Sequence, residues 1–138
     1  MLPHHVQGVE LASLALQTVT DPEVRAIAER IIETQSAERE FLTTWLGGVS
    51  PEMRDAHAHT AMTGMLTTAQ MQNFATLSGP QARDEFLRLM TLHHQGAITM
   101  ANLRLTQTGS GTMTTFARSV IAEQSAEIAR MRSLQLSR

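Results

Sequence analysis

Residues 85–105, EFLRLMTLHHQGAITMANLRL, combine a long amphipathic pattern with a double histidine. Apolar side chains recur there at steps of three and four residues, which predicts one long helix with a single face turned to a core. This inward stripe consists of Leu87, Met90, His94, Ala97, Ile98, Ala101 and Leu105. His94 lies within the stripe, and His93 borders it, because neighbouring residues are about 100° apart around a helix.

The chain repeats itself. An ungapped shift aligns residues 1–42 with residues 90–131, so that His4-His5 falls on His93-His94. The tetrapeptide QSAE occurs at 35–38 and again, at the same offset, at 124–127. Further identities in this alignment are Ala12/Ala101, Leu14/Leu103, Leu16/Leu105, Ala28/Ala117 and Ile32/Ile121. A constant offset across two such blocks indicates a tandem duplication, with repeats at 1–46 and 90–136.

Turn and cap signals divide the chain into helices. Asp21-Pro22 predicts a turn with an N-cap, and Gly47-Gly48 predicts a helix end. The long helices are expected at 1–18, 22–46, 81–107 and 112–136. The linker 47–80 is expected to hold a short helix from Ser50-Pro51, an irregular stretch at 60–68 and a short helix near 68–77. No segment shows the alternation of apolar and polar residues that is typical of a strand. We therefore predict one all-α domain over 1–138, a four-helix bundle of two tandem helical hairpins.

Composition excludes several classes of function. The chain of 138 residues has no cysteine, which excludes disulfides, thiolate metal sites and cysteine nucleophiles. Every cationic side chain is arginine, so Schiff-base chemistry and a P-loop lysine are absent. A net charge of -2 and 4% aromatic residues argue against nucleic-acid binding. No apolar run is long enough to span a membrane. With no enzyme motif present either, we predict that the protein is not an enzyme.

Polar side chains interrupt the apolar stripes at matching heights. The interrupting residues are Gln35 and Glu38 in the first hairpin and Gln124 and Glu127 in the second. Antiparallel helices meet at equal sequence distances from their turn, which places His5 level with the first pair and His94 level with the second. We therefore expect the histidines and glutamates to face inward in one layer, where each is the other's nearest partner.

Two interpretations of this layer remain open. One is a hydrogen-bonded layer that fixes helix register. The other is a metal site, and its candidate ligands are His4, His5, Glu38, His93, His94 and Glu127. Imidazole with nearby methionine suits copper, and imidazole with carboxylate suits zinc. The Glu-x-x-His pattern of di-iron bundles is absent, which disfavours a ferritin-like oxidase.

The middle segment contains a second group of soft donors: Met53, His57, His59, Met62 and Met65. A His-x-His sequence near methionines is compatible with binding of a soft cation. Helical geometry would separate His57 from His59, however. A polar linker whose methionines fill gaps between helices is therefore the favoured interpretation.

Two blocks, ARDEFLRLMTLHHQGAITMA at 82–101 and QSAEIARM at 124–131, resemble the domain of unknown function 305 family. The family pattern falls on Asp84, Phe86, Met90, His93-His94, Gly96-Ala97, Met100-Ala101, Gln124, Glu127-Ile128 and Met131. PHHVQGVELA at 3–12, with the first QSAE, resembles the family's N-terminal half, so the resemblance covers nearly the whole chain. Arg39 stands where the second repeat has Ile128, so the two halves need not be equivalent.

The resemblance implies a ferritin-like four-helix domain, exported or lipid-anchored in bacteria, with copper binding in some members and no settled activity. We therefore expect a small extracytoplasmic protein that binds or buffers a metal ion, with copper favoured over zinc. The alternative is a non-catalytic structural or interaction module whose His/Glu layer only fixes the bundle. Met1 aligns with Met90, which lies inside a helix, so we expect the natural chain to begin further upstream, where an export signal would lie.

Overall fold

The four long helices form a bundle of two hairpins. A computed structural model describes residues 1–48 and 62–137. Within these ranges the helices are α1 (Leu2–Thr18), α2 (Pro22–Gly47), α3 (Thr68–Ala75), α4 (Gly79–Leu105) and α5 (Gly111–Leu136), and there is no strand. Helix α1 pairs with α2 and α4 pairs with α5, while α1 also packs against α4. The predicted all-α, ferritin-like four-helix bundle is confirmed.

Local sequence signals set the helix ends. The Asp21 side chain caps α2 by accepting two backbone N–H bonds, and Pro22 occupies the first helical position. Thr67 and Gln70 form a reciprocal capping box at the start of α3. The long helices end within two residues of the expected positions. The helix expected from Ser50-Pro51 lies outside the described residues.

Two apolar clusters fill the bundle, one on each side of the predicted polar layer. The larger cluster includes Leu11, Ile31, Phe74, Phe86, Leu87 and Met131. The smaller one is built from Ala97, Ala101, Ala117 and Val120. Along α4, for example, Met90 belongs to the large cluster, the double histidine follows, and Ala97 begins the small cluster. The polar layer therefore separates the two clusters.

The segment 62–67 packs against α1 and α4, at residues close in sequence to their double histidines. Gln7 of α1 holds it through both amide atoms: Gln7 Nε2 donates to the Leu66 carbonyl at 2.9 Å, and the Leu66 N–H donates to Gln7 Oε1 at 2.7 Å. On α4, Gly96 lies so close to Gly64 that a Cβ at Gly96 would overlap the Thr63 carbonyl. Gly64 itself has a φ of +83°, which favours glycine.

The two hairpins make equivalent His–Glu contacts, His5 with Glu38 and His94 with Glu127, at positions that the sequence alignment matches. The tandem repeat itself stays a prediction, for which superposition of residues 1–42 on 90–131 is the direct test. No helix in the described part of the chain has both the length and the apolar character needed to cross a membrane.

Candidate metal centre

Four histidines lie together in the middle of the bundle. His4, His5, His93 and His94 all have 0% exposed surface. The sequence pattern placed His93 only at the border of the apolar stripe, and the structure buries it completely. The reason is that α1 of the other hairpin packs over that side of α4.

The centre of the layer is a stacked pair of imidazoles, one from each hairpin. The ring centroids of His4 and His93 are 3.7 Å apart, with an angle of 26° between the planes. Neither nitrogen of either ring has a hydrogen-bond partner. The adjacent rings are arranged alike in both hairpins, because His4 and His5 are 6.3 Å apart and His93 and His94 are 6.4 Å apart.

A histidine–glutamate pair lies on each side of this stack. His5 Nε2 is 2.6 Å from Glu38 Oε2, and His94 Nε2 is 2.6 Å from Glu127 Oε2. An ionised carboxylate can only accept, so each Nε2 donates, and in the neutral form of such a ring Nδ1 carries the lone pair. Both Nδ1 atoms are buried without a partner. Carboxylates orient metal-binding histidines in this way in many proteins.

Burial keeps the stacked imidazoles neutral. Desolvation, and secondarily the neighbouring His93, lowers the pKa of His4 to about 2. Desolvation, and secondarily His94, lowers the pKa of His93 to about 3. At neutral pH each of these rings therefore carries one N–H and one free lone pair.

Two glutamines complete the layer, and sequence reasoning identified them only as interruptions of the apolar stripes. Gln35 and Gln124 are each 1% exposed, and neither amide has a hydrogen-bond partner. Sequence reasoning missed Gly8, which makes room for the layer. A Cβ at Gly8 would overlap Gln35 Oε1 and lie 2.9 Å from His93 Cε1. The available signal was a glycine inside a helix, where it is unfavourable by about 1 kcal/mol relative to alanine.

The structure brings the six predicted ligands into one layer, as two His–Glu pairs beside a His–His stack. Among the residues that the structure describes, no three His, Asp or Glu side chains converge on a common point. Their role as ligands therefore stays a prediction. Of the second predicted group, Met53, His57 and His59 lie outside the described residues. The Met62 sulfur is 3.6 Å from the Met1 amine, and Met65 is exposed.

Solved structures with this fold include DUF305 proteins and metal-bound forms of the protein CopM. A candidate secreted DUF305 protein from Streptomyces coelicolor is 34% identical, with a TM-score of 0.86 over 97% of this chain and 86% of that one. CopM in its Cu(I)-bound form is 29% identical, with a TM-score of 0.81 over 99% of this chain and 91% of that one. CopM has also been solved in Cu(II)-bound and silver-bound forms.

The family assignment rests on a match over nearly the whole chain. A DUF305 fragment from Deinococcus radiodurans is 31% identical, with a TM-score of 0.82 over 97% of this chain and 89% of that one. No curated protein sequence matches significantly. The model of the domain of unknown function DUF305 matches residues 1–135. The chain therefore belongs to the DUF305 family.

Proposed function

We propose that this protein binds copper through the buried histidine layer and serves to bind or buffer the metal outside the cytoplasm, without catalysing a reaction. One observation carries the proposal: six imidazole nitrogens of this layer are buried without a hydrogen-bond partner. Buried polar atoms are nearly always paired, and an unpaired one costs about 1–3 kcal/mol. A metal ion coordinated by several of these imidazole nitrogens accounts for the concentration of unpaired atoms.

The donor chemistry fits copper. Copper binds neutral imidazole well, and a histidine must be deprotonated before it can bind a metal. The lowered pKa values of His4 and His93 mean that neither ring has to lose an extra proton at neutral pH. In this proposal the histidines supply the donors, with His5 and His94 offering Nδ1. Glu38 and Glu127 already accept from Nε2, so they orient these rings from behind.

The comparisons support the metal and the compartment. CopM, which shares the fold at about 30% identity, has been solved with Cu(I), Cu(II) and silver. A relative from Streptomyces coelicolor is a candidate secreted protein. We place zinc second, because carboxylate with imidazole also suits zinc.

A structural role is the competing function, and one observation favours it. The two 2.6 Å His–Glu contacts each join the helices of one hairpin, α1 to α2 and α4 to α5. Such contacts would hold the hairpins in register without a metal. This alternative predicts that copper binds no more tightly to the parent than to variants that lack the histidines.

The test begins with protein purified without a metal-affinity step. Elemental analysis would be followed by anaerobic Cu(I) titration against a competing chelator, and by Cu(II) and Zn(II) titrations. We expect His94→Ala to weaken copper binding sharply, whereas Gln95→Ala, an exposed neighbour on the same helix, should leave it unchanged.

Thermal unfolding with and without copper separates the two functions. Copper should raise the melting temperature of the parent and of Gln95→Ala, and raise that of His94→Ala much less. In the apo form, His94→Ala removes the imidazole that donates to Glu127, and losing this buried contact costs about 1–3 kcal/mol. If copper stabilises none of the proteins, while His94→Ala lowers the melting temperature equally in both conditions, the layer is structural.

A further inference from the structure

The two His–Glu pairs differ in the charge beside them. Arg30 of α2 places its Nε 4.0 Å from Glu127 Oε1, while the other oxygen of that carboxylate is held by His94. In the sequence alignment the position of Arg30 corresponds to Ser119, which is uncharged and donates to Glu123 at 2.7 Å. Within 1–48 and 62–137, Glu38 forms an ion pair with His5 alone.

The two His–Glu pairs are alike in burial and in the length of the His–Glu contact. The side chains of Glu38 and Glu127 are 12% and 9% exposed, and both His–Glu contacts are 2.6 Å long. The extra guanidinium is therefore the main electrostatic difference at the carboxylates themselves.

Arg39 is the other charge that distinguishes the hairpins. It follows Glu38 in α2, and its counterpart in α5 is Ile128. Consecutive residues point about 100° apart around a helix, and Arg39 forms no ion pair with Glu38 within 4.0 Å among the described contacts. Its Nε atom is instead buried without a hydrogen-bond partner. Arg39 thus lacks the direct carboxylate contact that Arg30 makes.

We propose, building on the copper-binding function above, that Arg30 makes the His94–Glu127 pair the weaker of two cation sites, so that the His5–Glu38 pair fills first. A carboxylate that accepts a hydrogen bond from an imidazole raises the basicity of the ring as a metal ligand, and it contributes negative charge near the metal. A guanidinium near one carboxylate offsets that charge. Arg30 is 74% exposed, so water-like screening applies. A metal on His94 Nδ1 would lie across the ring from Glu127, about 10 Å from the guanidinium, where a unit charge changes a binding constant about twofold.

The experiment follows each histidine separately during copper binding. Imidazole resonances of the whole chain, assigned with single His variants, would be recorded by NMR during anaerobic Cu(I) titration. In the parent, His5 should respond at lower copper than His94. In Arg30→Ser, copper binding at His94 should tighten about twofold, so that the two histidines respond together. Arg30→Lys keeps the charge and should restore the order of the parent.

Three controls isolate the charge of Arg30. Arg118→Ser removes an exposed arginine that lies about 13 Å along α5 from Glu127, and the order should stay that of the parent. Ser119→Arg should weaken copper binding at His5. The difference between the pairs should also shrink in about 0.5 M salt relative to about 0.02 M, because exposed charges are screened.

The results that overturn the inference are distinct from those that overturn the function. If His5 and His94 respond together in the parent, or if Arg30→Ser leaves their order unchanged, Arg30 does not set the order. The same conclusion follows if Arg39→Ile strengthens copper binding at His5 as much as Arg30→Ser strengthens copper binding at His94. If no histidine of the parent responds to Cu(I), the copper-binding proposal itself is wrong, and this inference is wrong with it.

Discussion

The large apolar cluster and the histidine layer are formed by the same four helices, yet they accommodate burial in opposite ways. Phe86, Leu87 and Met90 are 0% exposed and bury only apolar surface. Three residues further along α4, His93 is equally buried and leaves both ring nitrogens unpaired. The apolar cluster therefore provides the stability that offsets the cost of burying the unpaired polar layer, and four predictions test this division.

Among single substitutions, the largest effect is expected in the apolar cluster. Phe86→Ala removes a fully buried ring that lies 6.3 Å from Phe74, and should lower the free energy of unfolding by about 3–5 kcal/mol. Urea denaturation measures this loss. Phe41→Ala is the control, because Phe41 is 36% exposed and should cost much less. Equal losses for the two variants would contradict the assignment of the main stability to this cluster.

Acidification should destabilise the apo protein through the histidine layer. The pKa values of His4 and His93 are about 2 and about 3 in the folded state, against about 6.5 when unfolded. The unfolded state therefore binds more protons below pH 6.5, so stability is full above that pH and falls as the pH drops towards 3. Each histidine contributes a slope of at most about 1.4 kcal/mol per pH unit, so the pair contributes at most about 3 kcal/mol per pH unit.

Urea denaturation at a series of pH values between 7 and 4 measures this slope. The matched control is the double variant His4→Ala with His93→Ala, which keeps every other titrating group. Its unfolding free energy should vary less steeply over this range. If the slope of the double variant equals that of the parent, the stacked imidazoles are not the groups that take up the protons.

A smaller loss is expected where α1 makes room for the layer. Gly8→Ala would bring a Cβ into overlap with Gln35 and close to His93, and overpacking of this kind costs about 1–3 kcal/mol. Gly111→Ala is the control, because no atom lies within 4 Å of its Cβ position. Thermal unfolding of both variants checks the prediction. A Gly8→Ala protein as stable as Gly111→Ala would show that the layer is loosely packed.

The smallest effect concerns the buried amides. Gln124→Leu removes a side chain whose amide atoms are both unpaired, and should change the free energy of unfolding of the apo protein by less than about 1 kcal/mol, or raise it. Gln95→Leu, at an exposed position of α4, gives the baseline for adding apolar surface. A loss above about 2 kcal/mol in Gln124→Leu alone would show that this amide has a partner in solution.

The helices and the contacts within each hairpin could be predicted because they depend on local features of the chain. Hydrophobic spacing, the Asp21 cap and the glycines near the turns set where each helix begins and ends. Equal distance from a turn then places His5 opposite Glu38 and His94 opposite Glu127, and both contacts are present. The candidate ligands could be named for the same reason, since all of them interrupt or border an apolar stripe.

The four helices, and the polar residues of each hairpin that meet at one height, follow from the order of residues along the chain. Three contacts depend instead on how the helices pack in space: the stack of His4 on His93, the fit of Gly8 against Gln35 and the approach of Arg30 to Glu127. All except the Gly8–Gln35 contact join different hairpins, and that one depends on how closely α1 approaches α2. The relative rotation and separation of packed helices come from the shapes of all their side chains together, which no distance along the chain specifies.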